Sequence, residues 1–269
     1  MFSPPEDPGP SFANLANTTH TAFGASQPNA PMPEAAIPHG TTVVAVTYTD
    51  GVVLAGDRRA TAGNLISHRT MRKVFPADRW SGVAIAGAAG PAIEMVKLFQ
   101  LQLEHYEKVE GSSLSLEGKA NQLSQMVRGN LPAAMQGMAV VPLFCGFDRR
   151  REVGRLFEYD VTGGRYEESY YAASGSGSLH AGTVIKLGFS PDMTREQAID
   201  LCISALFQAA DQDSATGGPD LVRGIYPIVA AITTDGYDEA EESEIAERFS
   251  AMVDDLQPST AAPESGAVR

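Results

Sequence analysis

Cysteine is nearly absent: the 269 residues hold two, Cys145 and Cys202, in apolar surroundings with no CxxC and no histidine cluster nearby. That composition excludes a disulfide framework and gives a zinc site no ligand set, so both are expected to be buried thiols. Basic residues are also few, 20 Lys and Arg against 33 Asp and Glu for a net charge of −13, which argues against nucleic acid as a partner because such binding rests on basic phosphate contacts. No segment offers the roughly 18 consecutive apolar residues of a membrane helix, so no membrane association is expected. The first 40 residues have no Lys or Arg yet contain eight of the 17 prolines, among Asn, Ala, Ser and Thr. Such a stretch cannot bury a core. It lacks the basic start and apolar run of a secretory signal, and a cytoplasmic protein is the expectation.

The acidity is concentrated at the far end. Residues 1–40 contribute −3 through Glu6, Asp7 and Glu34, whereas residues 238–269 carry nine acids against Arg248 and Arg269, a local sum of −7. A solvated acidic helix and tail explains this. The last dozen residues, 258–269, rich in Pro, Ser, Ala and Thr, read as a disordered tail.

Residue 41 marks an abrupt change. Thr41 to Val46 is β-branched and apolar, Asp50-Gly51 interrupts, and Val52 to Gly56 resumes, which predicts a strand, a tight turn and a strand. A further strand runs from Gly82 to Ala86. Pro91 suits a first helical turn, and Ile93, Val96, Phe99, Leu103 and Tyr106 recur at helical spacing up to Gly111. Leu116, Ala120, Leu123, Val127 and Leu131 predict a second helix. Residues 138–147, 155–161 and 165–173 read as central sheet strands, Thr194 to Asp211 as a third helix, Ile225 to Thr233 as a strand, and the segment around Ile245, Phe249 and Val253 as the acidic helix. Helices arriving in blocks between strand groups indicate stacked layers of α+β type.

Several short segments can carry chemistry. A threonine hydroxyl is a weak nucleophile that needs an adjacent base, and one solution uses the residue's own α-amine, unmasked by cleavage. That amine titrates near about 7.7–8 in model peptides and accepts a proton at neutral pH, whereas a lysine near about 10.4 mostly does not. A proline-rich segment ending at Gly40, directly before Thr41 and a strand, is the arrangement such a nucleophile needs, although a threonine opening a strand behind a glycine is also ordinary turn punctuation. Gly56-Asp57-Arg58-Arg59-Ala60-Thr61 ends a buried strand in three charges, and Arg72-Lys73 follows before Val74. These read either as a solvated rim or as an Asp–Lys pair whose cationic lysine favours a developing alkoxide. Ala86-Gly87-Ala88-Ala89-Gly90 lets a substrate approach backbone amides or simply eases helix entry. Asp213 to Gly218 and Ser174 to Ser178 read as polar turn and flexible connection.

Taken jointly, these segments resemble the proteasome β-subunit family of N-terminal nucleophile hydrolases, in order over residues 41 to about 255. The spacing carries the resemblance: Thr-Thr-Val at 41, Asp57 sixteen residues on, Lys73 thirty-two on, Ala-Gly at forty-five and forty-six on, then a Gly-Ser-Gly and an Asp-x-x-Thr-Gly-Gly. The resemblance implies a four-layer αββα sandwich. It implies residues 1–40 as a cleaved propeptide, a peptidase domain over 41–257, and self-processing between Gly40 and Thr41.

Residue by residue, it implies Thr41 as nucleophile with its freed amine as proton acceptor and donor, Lys73 as the tuning lysine, Asp57 as its carboxylate partner and Arg59 as a supporting arginine. Gly87 matches the oxyanion donor. Asp213 and Ser176 match residues that organise hydrogen bonds around the amine, and Thr216 stands where many relatives carry serine. Thr61 and Ala89 match positions whose main chains pair with an extended peptide. Ala60, Met71, Ile85 and Ala89 match the first specificity pocket, and none is charged, so a preference for apolar residues on the acyl side of the cut is expected.

The implied assembly is paired seven-membered β-rings capped by α-subunit rings, which gate entry for unfolded chains delivered by an ATPase. The long Pro/Ala-rich leader and the run from Ser176 to Gly182 look like actinobacterial members, whose substrates carry a small ubiquitin-like protein tag. No cofactor or metal is expected. The alternatives are a catalytically inactive structural β-ring subunit, which would typically lack the threonine or its lysine, the simpler bacterial ATP-dependent threonine protease, and a small-molecule amidase of the same nucleophile class.

Overall fold

A computed structural model describes residues 41–256. The expected propeptide and the expected tail over 258–269 lie outside these residues. Two five-stranded antiparallel sheets dominate. The first orders its strands β10 (Tyr171–Gly175), β1 (Thr42–Tyr48), β2 (Gly51–Gly56), β11 (Ile228–Thr233) and β12 (Gly236–Glu239). The second orders β5 (Val74–Asp78), β6 (Ser81–Gly87), β7 (Val140–Asp148), β8 (Val153–Tyr159) and β9 (Arg165–Glu168). A short hairpin, β3 (Ala60–Ala62) with β4 (Leu65–His68), stands apart from both.

Period-two alternation explains the layering, because successive side chains of a strand point to opposite faces. In β1, Val44, Val46 and Tyr48 join one core while Val43 and Ala45 join another. In β2, Val53 and Ala55 are divided in the same way from Val52 and Leu54. Both faces are buried, hence the continuous apolar runs seen in the sequence. The inter-sheet core is built from Val43, Leu54, Ala84, Leu143, Leu156 and Ile232 among others. Beyond the second sheet, α1 (Ala89–Glu110) and α2 (Leu116–Gly129) cover Phe144 and Phe157 with Phe99, Leu103 and Leu123. Beyond the first, α4 (Ser178–Gly188), α5 (Arg195–Gln212) and α6 (Glu242–Leu256) seal the remaining face. A single turn, α3 (Leu131–Ala134), precedes β7. The four-layer αββα expectation is met.

Local signals set the helix ends. Thr194 and Gln197 form a reciprocal capping box at the start of α5. Ser115 caps α2 by accepting from the Gly118 amide, and Gly111 closes α1 in the left-handed region at φ 69°. In α6, Ile245 and Phe249 pack inward, Phe249 lying 5.5 Å from the Phe207 ring, while the acids face outward or pair with Arg195 and Arg248. The acidic region therefore begins as one amphipathic helix.

Three expectations change. The segment 165–173 is two strands in different sheets: β9 and β10 are edge strands, and the bend at Glu168–Tyr171 moves the chain from one layer to the other. Residues 178–188, of which only Ser178 was read and that as the end of a flexible connection, form α4; the short run with two glycines hid its periodicity. α1 starts at Ala89, two residues before Pro91, which remains within the first turn, where its missing N–H is tolerated. Both cysteines are buried and free, Cys145 between the sheets and Cys202 in α5, and burial pushes both thiols well up. Among the described residues, no helix is long and apolar enough to cross a membrane.

Candidate active site

The site lies where β1 begins. Its centre is Asp57, immediately past the end of β2 and 0 % exposed. Oδ1 of Asp57 accepts from Lys73 Nζ at 2.6 Å and from the Thr42 amide at 2.8 Å. Oδ2 accepts from the amides of Arg59 at 2.9 Å and Gly217 at 2.8 Å. Both oxygens are thus doubly bonded, and burial of the charge is compensated. The Asp57 amide in turn donates to the Thr42 carbonyl at 3.1 Å, so the two residues are joined twice.

Lys73 enters just before β5 and is among the most deeply buried large side chains, at 1 %. Its carbonyl accepts from the Ile85 amide at 2.9 Å, which ties it to β6. Burial pulls its ammonium below the ordinary lysine range, and Asp57 opposes that pull. A desolvated cation held by one carboxylate projects its field strongly, because no water screens it.

A second cluster closes over residue 41. Thr41 is 7 % exposed; its carbonyl accepts from the Ser176 amide at 2.8 Å, and its nitrogen lies 3.4 Å from Ser176 Oγ. Ser176 Oγ donates to Asp213 Oδ2 at 2.5 Å, and Thr216 Oγ1 donates to the same oxygen at 2.6 Å. Asp213 ends α5. Burial pushes its carboxyl up, but the hydroxyls of Ser176 and Thr216 and the Ala215 amide outweigh that and hold it below the usual carboxylate range. Arg59 crosses between the clusters: its amide serves Asp57 and its guanidinium donates to the Ser214 carbonyl at 2.9 Å.

Thr41, Asp57, Arg59, Lys73, Ser176, Asp213 and Thr216, drawn from five separate stretches of sequence, are therefore joined by hydrogen bonds. Of the other residues singled out in the sequence, only Ile85 bonds to this network among the contacts described, its amide donating to the Lys73 carbonyl. Gly87 ends β6 at φ +105°, and a Cβ there would stand 2.1 Å from the Ala139 carbonyl oxygen, so no other residue fits. Ala60 and Thr61 are buried in β3, Met71 is half-buried with its amide on the Arg58 carbonyl, and Ala89 opens α1. Ile85 packs into the core beneath α1 and α2. Gly40 lies outside the described residues.

Two features depart from the reading of the sequence. Ser174 to Ser178 is no plain connection: Gly175 pairs with Thr42 at φ +101°, where a Cβ would stand 2.0 Å from the Thr41 carbonyl oxygen, and Gly177 precedes α4. The alternating glycines were the available signal. Thr42 is the other. Its hydroxyl is buried in the same network, yet in sequence it reads as one more β-branched strand residue.

This geometry can hold an ionised Asp–Lys pair and a Ser–Asp–Thr hydroxyl network around the nitrogen of residue 41. Comparison with known proteins identifies the family. The family described as proteasome subunit matches residues 37–222. A protein named proteasome subunit beta from Acidimicrobium ferrooxidans is 56% identical over 254 residues, covering 91% of this chain and 91% of that protein. One of the same name from Streptomyces griseus is 63% identical over 212 residues, covering 78% of this chain and 75% of its own.

Proposed function

The chain belongs to the proteasome subunit family, and from that premise we propose that it is the catalytic β-subunit of a proteasome core particle, a threonine endopeptidase whose nucleophile is Thr41. The observation that supports this most directly is the double use of Asp57. One carboxylate both pairs with the buried Lys73 ammonium and fixes the amide of Thr42, so the cation and the residue next to the nucleophile are held to a common anchor.

The chemistry follows from these contacts. In the precursor, the Thr41 hydroxyl attacks the Gly40 carbonyl; the peptide bond to nitrogen breaks as the ester bond to Oγ1 forms, and water hydrolyses that ester to free residues 1–40 and the α-amine. Glycine at 40 leaves the carbonyl uncrowded. In the mature subunit that amine, its nitrogen beside Ser176 Oγ, takes the hydroxyl proton as Oγ1 attacks a substrate carbonyl, and returns a proton to the departing amine. The Lys73 ammonium stabilises the developing negative charge. Arg59 braces Asp57 and the Ser214 turn. The Gly87 amide serves as oxyanion donor. Asp213, Ser176 and Thr216 orient the amine, and water deacylates the enzyme. No metal or cofactor takes part.

Substrate is read mainly through backbone, by strand addition at Thr61 and Ala89. Ala60, Met71, Ile85 and Ala89 form the first specificity pocket, and Met71 adapts to different shapes. The subunit works in paired seven-membered β-rings under α-subunit rings in the cytoplasm. Unfolded proteins reach it through an ATPase ring, marked by a small ubiquitin-like modifier. Intact mass after coexpression with α-subunits tests the reading: the active chain starts at Thr41, and Thr41→Ala keeps residues 1–40 and has no peptidase activity. Release of residues 1–40 from the alanine chain at the wild-type rate would falsify it.

A further inference from the structure

We propose that Thr42 is a positioning residue for the reaction: its buried hydroxyl donates to Thr216, Thr216 donates to Asp213, and this directed chain holds the Asp213–Ser176 pair against the nitrogen of Thr41. The inference rests on the reading of Thr41 as nucleophile.

The direction of each proton follows from donor and acceptor capacity. An ionised carboxylate only accepts. Asp213 Oδ2 receives Ser176 Oγ at 2.5 Å and Thr216 Oγ1 at 2.6 Å, so both hydroxyls donate there. Thr216 has then spent its one proton. The 2.5 Å contact between Thr42 Oγ1 and Thr216 Oγ1 must therefore be donated by Thr42. A lone pair of Thr42 Oγ1 in turn accepts the Gly177 amide at 3.1 Å. The amide, the two threonine hydroxyls and the carboxylate form one line of bonds pointing the same way, an arrangement in which each bond polarises the next.

Placement favours this over simple packing. Thr42 and Thr216 are both 0 % exposed. Along β1, Thr42 shares its face with Val44, Val46 and Tyr48, which are apolar and covered by helices. Valine would suit that position for packing and strand propensity, and a buried hydroxyl is costly unless bonded. A Cβ on Gly177 would come within 2.4 Å of Thr42 Oγ1, so the amide reaches the hydroxyl only because residue 177 has no side chain. The Thr42 amide meanwhile donates to Asp57 Oδ1. One residue thus links both carboxylates of the site, Asp57 through its backbone and Asp213 through its side chain, and residue 41 hangs from it.

The titratable groups facing Asp213 are His180 from α4 and Lys73 from the segment before β5. With Thr42→Val, Thr216 loses its donor and becomes a weaker donor to Asp213, whose ionised form is then less stabilised. The test uses the full chain coexpressed with α-subunits, in four forms: wild type, Thr42→Val, Thr42→Ser and Thr41→Ala. The expected result for valine is a roughly ten-fold loss in kcat with KM little changed. Serine, which keeps the hydroxyl, restores kcat. The loss should persist in a His180→Gln background, which separates Asp213 from the histidine.

Should the valine chain fail to shed residues 1–40, the rate of that release by intact mass becomes the readout, and serine must restore it. Wild-type kcat in the valine form, or a serine form as impaired as valine, overturns the proposal. Retained processing and activity in Thr41→Ala instead overturns the assignment of the nucleophile, whatever residue 42 does.

Discussion

Lys73 Nζ lies 2.6 Å from Oδ1 of Asp57, with both side chains at 2 % exposure or less. A buried pair of this kind contributes little net stability compared with apolar residues, but removing one partner strands the other in a medium that cannot solvate it. Asp57→Ala strands the ammonium and also orphans the amides of Thr42, Arg59 and Gly217. The expected loss is about 3–5 kcal/mol in urea unfolding of the purified chain.

Lys73→Met keeps most of the volume and leaves Asp57 with three amide donors. Its stability cost should be smaller than that of Asp57→Ala, yet peptide hydrolysis should fall by at least about 100-fold, the scale of a lost charge stabiliser. Hydrolysis at the wild-type rate would remove Lys73 from the mechanism.

Asp213 titrates below the usual carboxylate range in the folded chain. A depressed folded value means that its contribution to stability is fully present above the unfolded value, about 3.9, and is lost as pH falls through the folded value. Ser176→Ala and Thr216→Val each remove a hydroxyl donor and leave burial to push the carboxyl up. Stability should then be lost at higher pH on the acid side in both, as read by urea unfolding across pH, and should keep its wild-type pH dependence in an exposed control such as Leu187→Ala.

Gly87 cannot accept a side chain without moving β7, since its φ is +105° and the Ala139 carbonyl occupies the Cβ position. Gly87→Ala should lower kcat by about 100-fold through displacement of the oxyanion donor. Thermal melting should fall by several degrees, as a strain of about 1–3 kcal/mol implies.

The residues proposed for the first specificity pocket, Ala60, Met71, Ile85 and Ala89, are uncharged. In a panel of peptides varied at the acyl-side residue, apolar side chains should be cleaved fastest. Acidic or basic residues cleaved fastest would overturn the proposed apolar preference.

Much of the architecture was legible because burial on both faces leaves continuous apolar runs. Thr41 to Gly56 could be read as two paired strands, and α1, α2, α5 and α6 from their 3.6-residue repeat and caps. β9 and β10 were merged because the bend at Glu168–Tyr171 carries no glycine or proline to punctuate it. The helix α4 was lost because its first residues, Ser-Leu-His-Ala-Gly, follow two glycines and bury only Ala181 and Ile185 fully.

By itself the sequence determined which residue types stand at which offsets: a threonine behind a glycine, an aspartate sixteen residues on and a lysine thirty-two on. Offsets of that kind identify candidates, but a carboxylate at a strand end can equally be a solvated rim. Only the tertiary structure decided that Asp57 is buried, since burial depends on the second sheet, the Gly217 turn and Lys73 meeting it from distant parts of the chain. Thr42 shows the same limit more sharply. Along one strand it is simply a β-branched residue, and its hydroxyl gained a direction only when the ends of α5 and β10 brought Thr216, Asp213 and Gly177 to it.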